Sequence, residues 1–455
     1  MSLERIFSRF CQGSPLPVMA RAAIEHATSD QLLDQLFAEH AQRQVSGELL
    51  FSSVVKLMTL VACRIQPSIN TAYQKQAEEI NVSIQSVYAK LRGIEPQVTR
   101  AFVRETAARL SAVADELHAE LEPPFPGYEN RIIDGAHLAA TEHRLKELRT
   151  VAAGPLPGLG LCVLDPTRRM ILDFIPAEDA YTQERHLLLS VIDDLQAGQV
   201  WIADRNFCTS MFVWELHVNR ACFVIREHAQ NVCWTPDGPE AACGRTETGA
   251  VFQQNIQIHD DHGNCFKARR LRLVLDQPTR DGAQEITILS NLPKRVSAKQ
   301  IVEGYRQRWT IETAFAVIEK CLEGEIRALG YPGAALFSHA VALFSFNILQ
   351  LLHAALRAVH GSEKIEKSFS THHMAEEIGM IWRGMLVVLD TGFWRRRYGQ
   401  LDHTAIATEL KRLAQQVNLG HYKKVTRNQR KPPPKRESSK NNPHLSTNRL
   451  LQQRQ

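Results

Sequence analysis

A chain of 455 residues, 44% hydrophobic and 23% charged, has the balance of a soluble globular protein long enough for two or three domains, which excludes a fibrous or wholly disordered chain. The net charge of +5 sits in the tail: residues 421 to 455 hold ten Lys or Arg against one Glu, so the preceding part is net acidic. Nine cysteines, odd in number and never spaced Cys-x-x-Cys, fit reduced thiols in a cytoplasm, the expected location, better than a disulfide framework.

The N-terminus, "MSLERIFSRFCQGSP", lacks the unbroken apolar core of a signal peptide. Residues 1 to 125 read as helices and end at the breaker "EPPFPG". Within them Ala77, Asn81, Val82 and Val87 have the spacing of a helix-turn-helix: a small residue where helices touch, a turn residue, then an apolar anchor. The second helix is expected from the cap Ser83 through Tyr88, Lys90 and Arg92, and Lys90 and Arg92 are its candidate DNA contacts. An ordinary helical hairpin fits the same pattern.

From residue 128 the period becomes that of strands. "RIIDGAHLAA", "GLGLCVLD" and "RMILDFIP" predict three successive strands, the last two joined by the turn "DPTRR". "TQERHLLLSVIDDL" predicts a helix, "QVWIAD" a buried strand, "CTSMFVWELHVNR" a helix and "ACFVIREH" a strand. That succession implies a mixed sheet with helices packed on it. Residues 230 to 293 read as a β-rich insertion, with strands in "VFQQNIQIHD", "KARRLRLVLD" and "EITILSNLP". Inside it "HDDHGNC" offers His259, Asp260, His262 and Cys265, with Cys233 and Cys243 upstream, as zinc ligands, but the same residues make a good polar turn.

Two acids stand out by position. Asp134 follows "RII" and Asp204 follows "VWIA", each at or near the end of an apolar strand, where side chains from neighbouring strands enter one site. Asp is also an ordinary turn starter at such places. A third acid lies in "YRQRWTIETAFAVIEK", behind Ser297 and Gln300 at capping-box spacing. At about 100° per residue, Tyr305, Arg308, Glu312, Phe315 and Glu319 fall within about an 80° arc. Arg308 and Glu312 can be a plain i,i+4 pair. Three carboxylates at sheet ends and on a packed helix also suit a hard divalent cation, which needs several oxygen ligands.

Ala334 to Leu356 contains no Asp, Glu, Lys or Arg, yet Ser338, His339, Ser345, Asn347, Gln350 and His353 interrupt it, and it reads as a core helix. "FWRRRYGQ", residues 393 to 400, interleaves aromatics with arginines and leans towards nucleic acid. The tail, rich in Pro, Ser and Asn, is expected to be disordered and either solubilising or a sequence-independent phosphate contact.

"IIDGAHL", "WIADRNF", "LSNLP" and "YRQRWTIETAF" resemble the signature blocks of bacterial DDE transposases of the insertion-sequence-four family, over roughly residues 128 to 350. The most specific element is Tyr-x-x-Arg-x-x-x-Glu, held by Tyr305, Arg308 and Glu312. The resemblance implies a mixed α/β fold: a ribonuclease-H-like catalytic core over 128–229 and 294–360, the β-rich insertion at 230–293, a helical DNA-binding domain at 1–125, a helical region at 361–420 and the basic tail. It implies that Asp134, Asp204 and Glu312 are catalytic and hold two Mg²⁺ ions, for which Mn²⁺ substitutes, with Tyr305, Arg308, Trp309 and Lys320 meeting DNA. The implied activity is binding of terminal inverted repeats, strand cleavage and strand transfer; the partners are element ends and target DNA, with a homodimer on the ends and no membrane. A catalytically silent or domesticated DNA-binding copy is the alternative, and a general nuclease a third.

One departure is visible. The family carries lysine seven residues after the glutamate, and here that position is Glu319, with Lys320 next, about 80° around the helix from Glu312 rather than about 20°. Trp309 matches an aromatic beside the motif arginine; core packing and stacking on an unpaired base are both open to it.

Overall fold

The computed structural model describes residues 2–44, 47–76, 80–150, 154–260, 262–279 and 282–424. Seven helices come first: α1 (Leu3–Gly13), α2 (Pro15–Ala27), α3 (Asp30–His40), α4 (Phe51–Ala62), α5 (Ile69–Lys75), α6 (Ile84–Arg92) and α7 (Pro96–Leu117). Ser83 caps α6 by accepting from the Ser86 N–H, as expected from the sequence. Ala77 lies outside the described residues.

The chain then enters a ten-stranded sheet: β1 (Glu129–His137), β2 (Leu159–Asp165), β3 (Met170–Ala177), β4 (Gln199–Ala203), β5 (Cys222–Arg226), β6 (Cys233–Pro236), β7 (Ala241–Thr246), β8 (Gly249–His259), β9 (Cys265–Leu275) and β10 (Glu285–Ser290). Its order is β3-β2-β1-β4-β5-β10-β9-β8-β6, with β7 on β8. β1, β2 and β3 are antiparallel, whereas β1, β4 and β5 run parallel. β2 and β4 are buried at every residue, as the unbroken apolar runs of strands covered on both faces require. In the β2–β3 turn Asp165 accepts from the Thr167 N–H at 2.8 Å and Arg169 takes a left-handed φ of 57°. The β-rich insertion continues this sheet, because β10 pairs antiparallel with β5. Asn291, in "LSNLP", fixes that junction: its side chain accepts from the Phe223 N–H and donates to the Ala221 carbonyl.

Between strands lie α8 (Glu184–Leu187), α9 (Leu189–Ile192) and α10 (Ser210–Val218). The single helix expected over "TQERHLLLSVIDDL" is thus two short pieces that close on one wall of the sheet through Leu188 and Val191. α8 to α10 cover one face, with Phe207, Phe212 and Leu216 against Ile133, Trp201 and Phe223. The other face carries α11 (Ala298–Arg306), α12 (Trp309–Cys321) and α13 (Pro332–His360), backed by α14 (Ser362–Ser368), α15 (Thr371–Val388), α16 (Thr391–Tyr398) and α17 (His403–Ala414). α13, the one helix among the described residues long and apolar enough to cross a membrane, is buried along its apolar stretch and is the core helix expected from its polar interruptions.

Helices from both chain ends pack into this layer: α7 lies on α13, β3 and α17, and α2 on α13, α15, α16 and α17. This packing absorbs the basic knot at 393–400, contrary to the nucleic-acid reading. Phe393, Trp394 and Tyr398 are buried against Phe7, Arg395 pairs with Asp30, and Arg397 pairs with Glu4 at 3.2 Å. Of the tail, Tyr422 is packed against Phe369, and residues 425–455 lie outside the described residues.

Candidate active site

Strand alternation puts Ile132, Asp134 and Ala136 on one face of β1, the face that carries α11 to α13. Asp134 is not at the strand end, since β1 runs on to His137. Ile132 pairs with Ile202 and Ile133 with Ala203, so the next step in register sets Asp134 beside Asp204 as β4 ends. Asp204 also has its turn-starting role: its Oδ1 accepts from the Arg205 N–H at 2.7 Å, capping a 3₁₀ turn over Arg205–Phe207.

Glu312 arrives from above, on a helix that is not the continuous one expected. α11 starts with the expected capping box between Ser297 and Gln300, but stops at Arg306. Arg308 N–H donates to the Tyr305 carbonyl at 3.0 Å and Ile311 N–H to the Arg308 carbonyl at 3.2 Å, bonds of i,i+3 type that tighten the backbone before α12 begins. The tightening turns Arg308 down towards the sheet. Its Nη1 donates to Asp134 Oδ2 at 2.9 Å and its Nη2 to Glu312 Oε1 at 2.6 Å, while its Nε is buried with no partner. Arg308 is thus the i,i+4 partner of Glu312 and also the clasp to β1. Burial pushes the Asp134 carboxyl up to about 6, against the pull of Arg308 and the Gly135 N–H and with the help of the charges on Glu184 and Glu312. Tyr305 is buried, and desolvation and the charge of Asp204 push its phenol far up.

A fourth acid, Glu184 on α8, was not singled out in the sequence. Its Oε1 pairs with His137 Nε2 at 2.9 Å, the ring N–H donating, and lies 1.8 Å from where a Cβ on residue 135 would stand. A Cβ at residue 135 would therefore make the Glu184 carboxylate shift. No local pattern signals this, because α8 is half a sheet away in sequence. Beside Glu312 opens a cavity of about 610 Å³ walled by Phe315, Ile318, Leu322, His339 and Arg64.

The remaining expected residues are more scattered. Trp309 is 62% exposed, which overturns core packing, and its ring lies beside the Arg308 guanidinium at 5.3 Å. Lys320 is exposed on the last turn of α12. Lys90 is half-buried with its ammonium 3.8 Å from the Phe37 ring, and Arg92 is exposed, 5.0 Å from the Tyr331 ring. In the zinc candidate, Asp260 accepts from the N–H groups of His262 and Asn264, closing the polar turn of the alternative reading.

Carboxylate oxygens suit a hard cation in kind. In arrangement, no three His, Cys, Asp or Glu side chains among the described residues are set to hold a metal ion. Arg308 supplies the positive charge between Asp134 and Glu312 instead.

Strand order 3-2-1-4-5, with acids on β1, after β4 and on a helix across the same face, defines a ribonuclease-H-like core. Residues 126–347, which include all three acids, match the family model described as a transposase DDE domain. No curated protein matches the chain. Among solved structures it is similar to a piggyBac transposase synaptic complex with hairpin DNA, determined by cryo-EM, at 10% identity and a TM-score of 0.43 over 86% of this chain and 86% of that one.

Proposed function

We propose that this chain is a DDE transposase akin to the insertion-sequence-four family, which binds the inverted-repeat ends of its element as a homodimer in a bacterial cytoplasm, cuts them and joins them to target DNA. One observation carries the reading: within a segment similar to transposase DDE domains, Asp134 and Asp204 are register neighbours and Arg308 ties Asp134 to Glu312. Asp134, Asp204 and Glu312 are the residues that would hold divalent ions, Mg²⁺ or Mn²⁺. Such ions, when bound, lower the pKa of an attacking water or 3′-hydroxyl and steady the leaving oxygen at phosphorus.

The chain's own residues do the rest. Arg308 neutralises the acids in the DNA-free protein; released from them, its planar fork suits a DNA phosphate held in line for attack. Trp309, exposed beside it, offers a face for an unpaired base. Arg92, on the exposed side of α6, and the tail offer contacts to duplex phosphates. Glu319, standing where the family has lysine, favours the second reading, a DNA-binding copy without catalysis.

The test uses the inverted repeats that flank the coding sequence. The full chain with Mg²⁺ and a fragment carrying one repeat is expected to release 3′-hydroxyl ends at the repeat boundary and to join them to a plasmid. Tight, repeat-specific binding without any cut strand would establish the second reading.

A further inference from the structure

Arg64 follows α4 with a φ of 55°, the left-handed conformation that glycine usually supplies at a helix end. Its backbone is held there from the far side. Arg383 of α15 donates through Nε to the Ile65 carbonyl at 2.6 Å and through Nη2 to the Arg64 carbonyl at 2.8 Å. The Arg64 side chain then crosses to α12, where Nη1 donates to the Lys320 carbonyl at 2.8 Å and Nη2 to the Glu319 carbonyl at 3.2 Å. Nε pairs with Glu323 at 3.3 Å, and the Glu323 N–H donates to the Ala62 carbonyl at 2.8 Å. The last carbonyls of a helix have no partners within it and carry its negative pole, so a guanidinium fork there both satisfies and neutralises them.

From this geometry we infer that Arg64 is a positioning residue for Glu312: it clamps the end of the helix that carries the third acid, from the loop that leads into α5 and α6. The inference deepens the proposed function and rests on it for the role of Glu312. α12 is otherwise held through Ile311, Ala314 and Ile318, buried in the core it shares with β1, α13 and α15, none of which caps its last carbonyls. Arg64 also lines the cavity beside Glu312, so its removal leaves the carboxylate's surroundings looser as well as the helix end.

Arg64→Gly is the informative variant, because glycine accepts the left-handed backbone, so the whole side chain with its guanidinium is removed without backbone strain. Hydrogen exchange on the full chain, without DNA or metal, is expected to show faster exchange at residues 319 to 323 and unchanged exchange in α13. Single-turnover cleavage of saturating repeat DNA is expected to fall about tenfold with DNA affinity unchanged, and Arg64→Lys to recover part of the rate. Unchanged exchange at the end of α12 in Arg64→Gly overturns the inference. So does a full bound-state rate with weakened DNA binding, which would make Arg64 a DNA contact. The exchange result judges the clamp whether or not the chain cuts DNA, whereas failure of the unaltered chain to cut bears on the proposed function alone.

Discussion

At the scale of single residues, Arg308 decides the electrostatics of the site. With its side chain 10% exposed and its guanidinium shared between two carboxylates, its loss leaves two partly buried acids uncompensated. Arg308→Ala is expected to lower the bound-state cleavage rate on the order of 10²-fold, as removal of a preorganised charge at a reacting group does. The salt dependence of DNA binding should stay nearly unchanged, and Arg308→Lys should recover little, since it keeps charge but loses the fork. A full-rate alanine variant would reduce Arg308 to the i,i+4 partner of Glu312. Gly135 gives a second residue-scale test: Gly135→Ala is expected to displace the Glu184 carboxylate from His137 and to cost no more than about 1 kcal/mol in thermal unfolding. In a Glu184→Ala background the same change should cost little; an equal cost there would place the strain elsewhere. The sequence made the Arg308–Glu312 pair legible because helical spacing is local. It could not show Arg308 on Asp134 or Glu184 against Gly135, which depend on strand register and on a turn between distant elements.

At the scale of elements, period and length carried most of the reading. β1 to β5 and α10 lie close to where alternation and apolar runs set them, and the capping box at Ser297 marks the start of α11. The break at Gln307 and Arg308 left no mark in composition, because all its residues tolerate helix; the pull of Arg308 towards the sheet is a tertiary effect. α13 shows the reverse, an apolar run whose polar interruptions proved to be buried contacts. Asn347 exchanges hydrogen bonds with the backbone of Ile171 on β3. His339 lies against Phe174, bonded through Nδ1 to the Gly324 carbonyl at 3.2 Å, and burial lowers its pKa to about 4. His353 is lowered to about 3 for the same reason, helped by Arg357. Because both folded values lie below the ordinary 6.5, their contribution is fully present above pH 6.5 and is lost as pH falls towards 4. Thermal melts from pH 7.5 to 4.5 should therefore show a steep loss of stability below 6.5, on the order of 2–3 kcal/mol for each histidine. His339→Gln, neutral throughout, should have a shallower fall in that window, and a slope equal to that of the unaltered chain would contradict the assignment.

At the scale of the molecule, the helices before and after the core form one layer over one face of the sheet, so the loop after α4 touches α12 directly. The sequence marks residues 1 to 125 as helical, but which helices share a layer depends on contacts hundreds of residues apart, such as Phe7 on Trp394. The tail is a separate matter of charge. Deleting residues 425 to 455 is expected to weaken binding to any duplex evenly and to flatten its salt slope, while DNA already bound is still cut; an unchanged slope would leave the tail a solubilising end. The proposed function stands on Asp134, Asp204 and Glu312 acting together as the cutting site. The most direct measurement is single-turnover cleavage of repeat DNA in Mg²⁺ by Asp134→Asn, Asp204→Asn and Glu312→Gln, each with its DNA affinity measured alongside. All three variants are expected to bind repeat DNA as the unaltered chain does and none to cut it; undiminished cleavage by any one of them would remove that residue from the site.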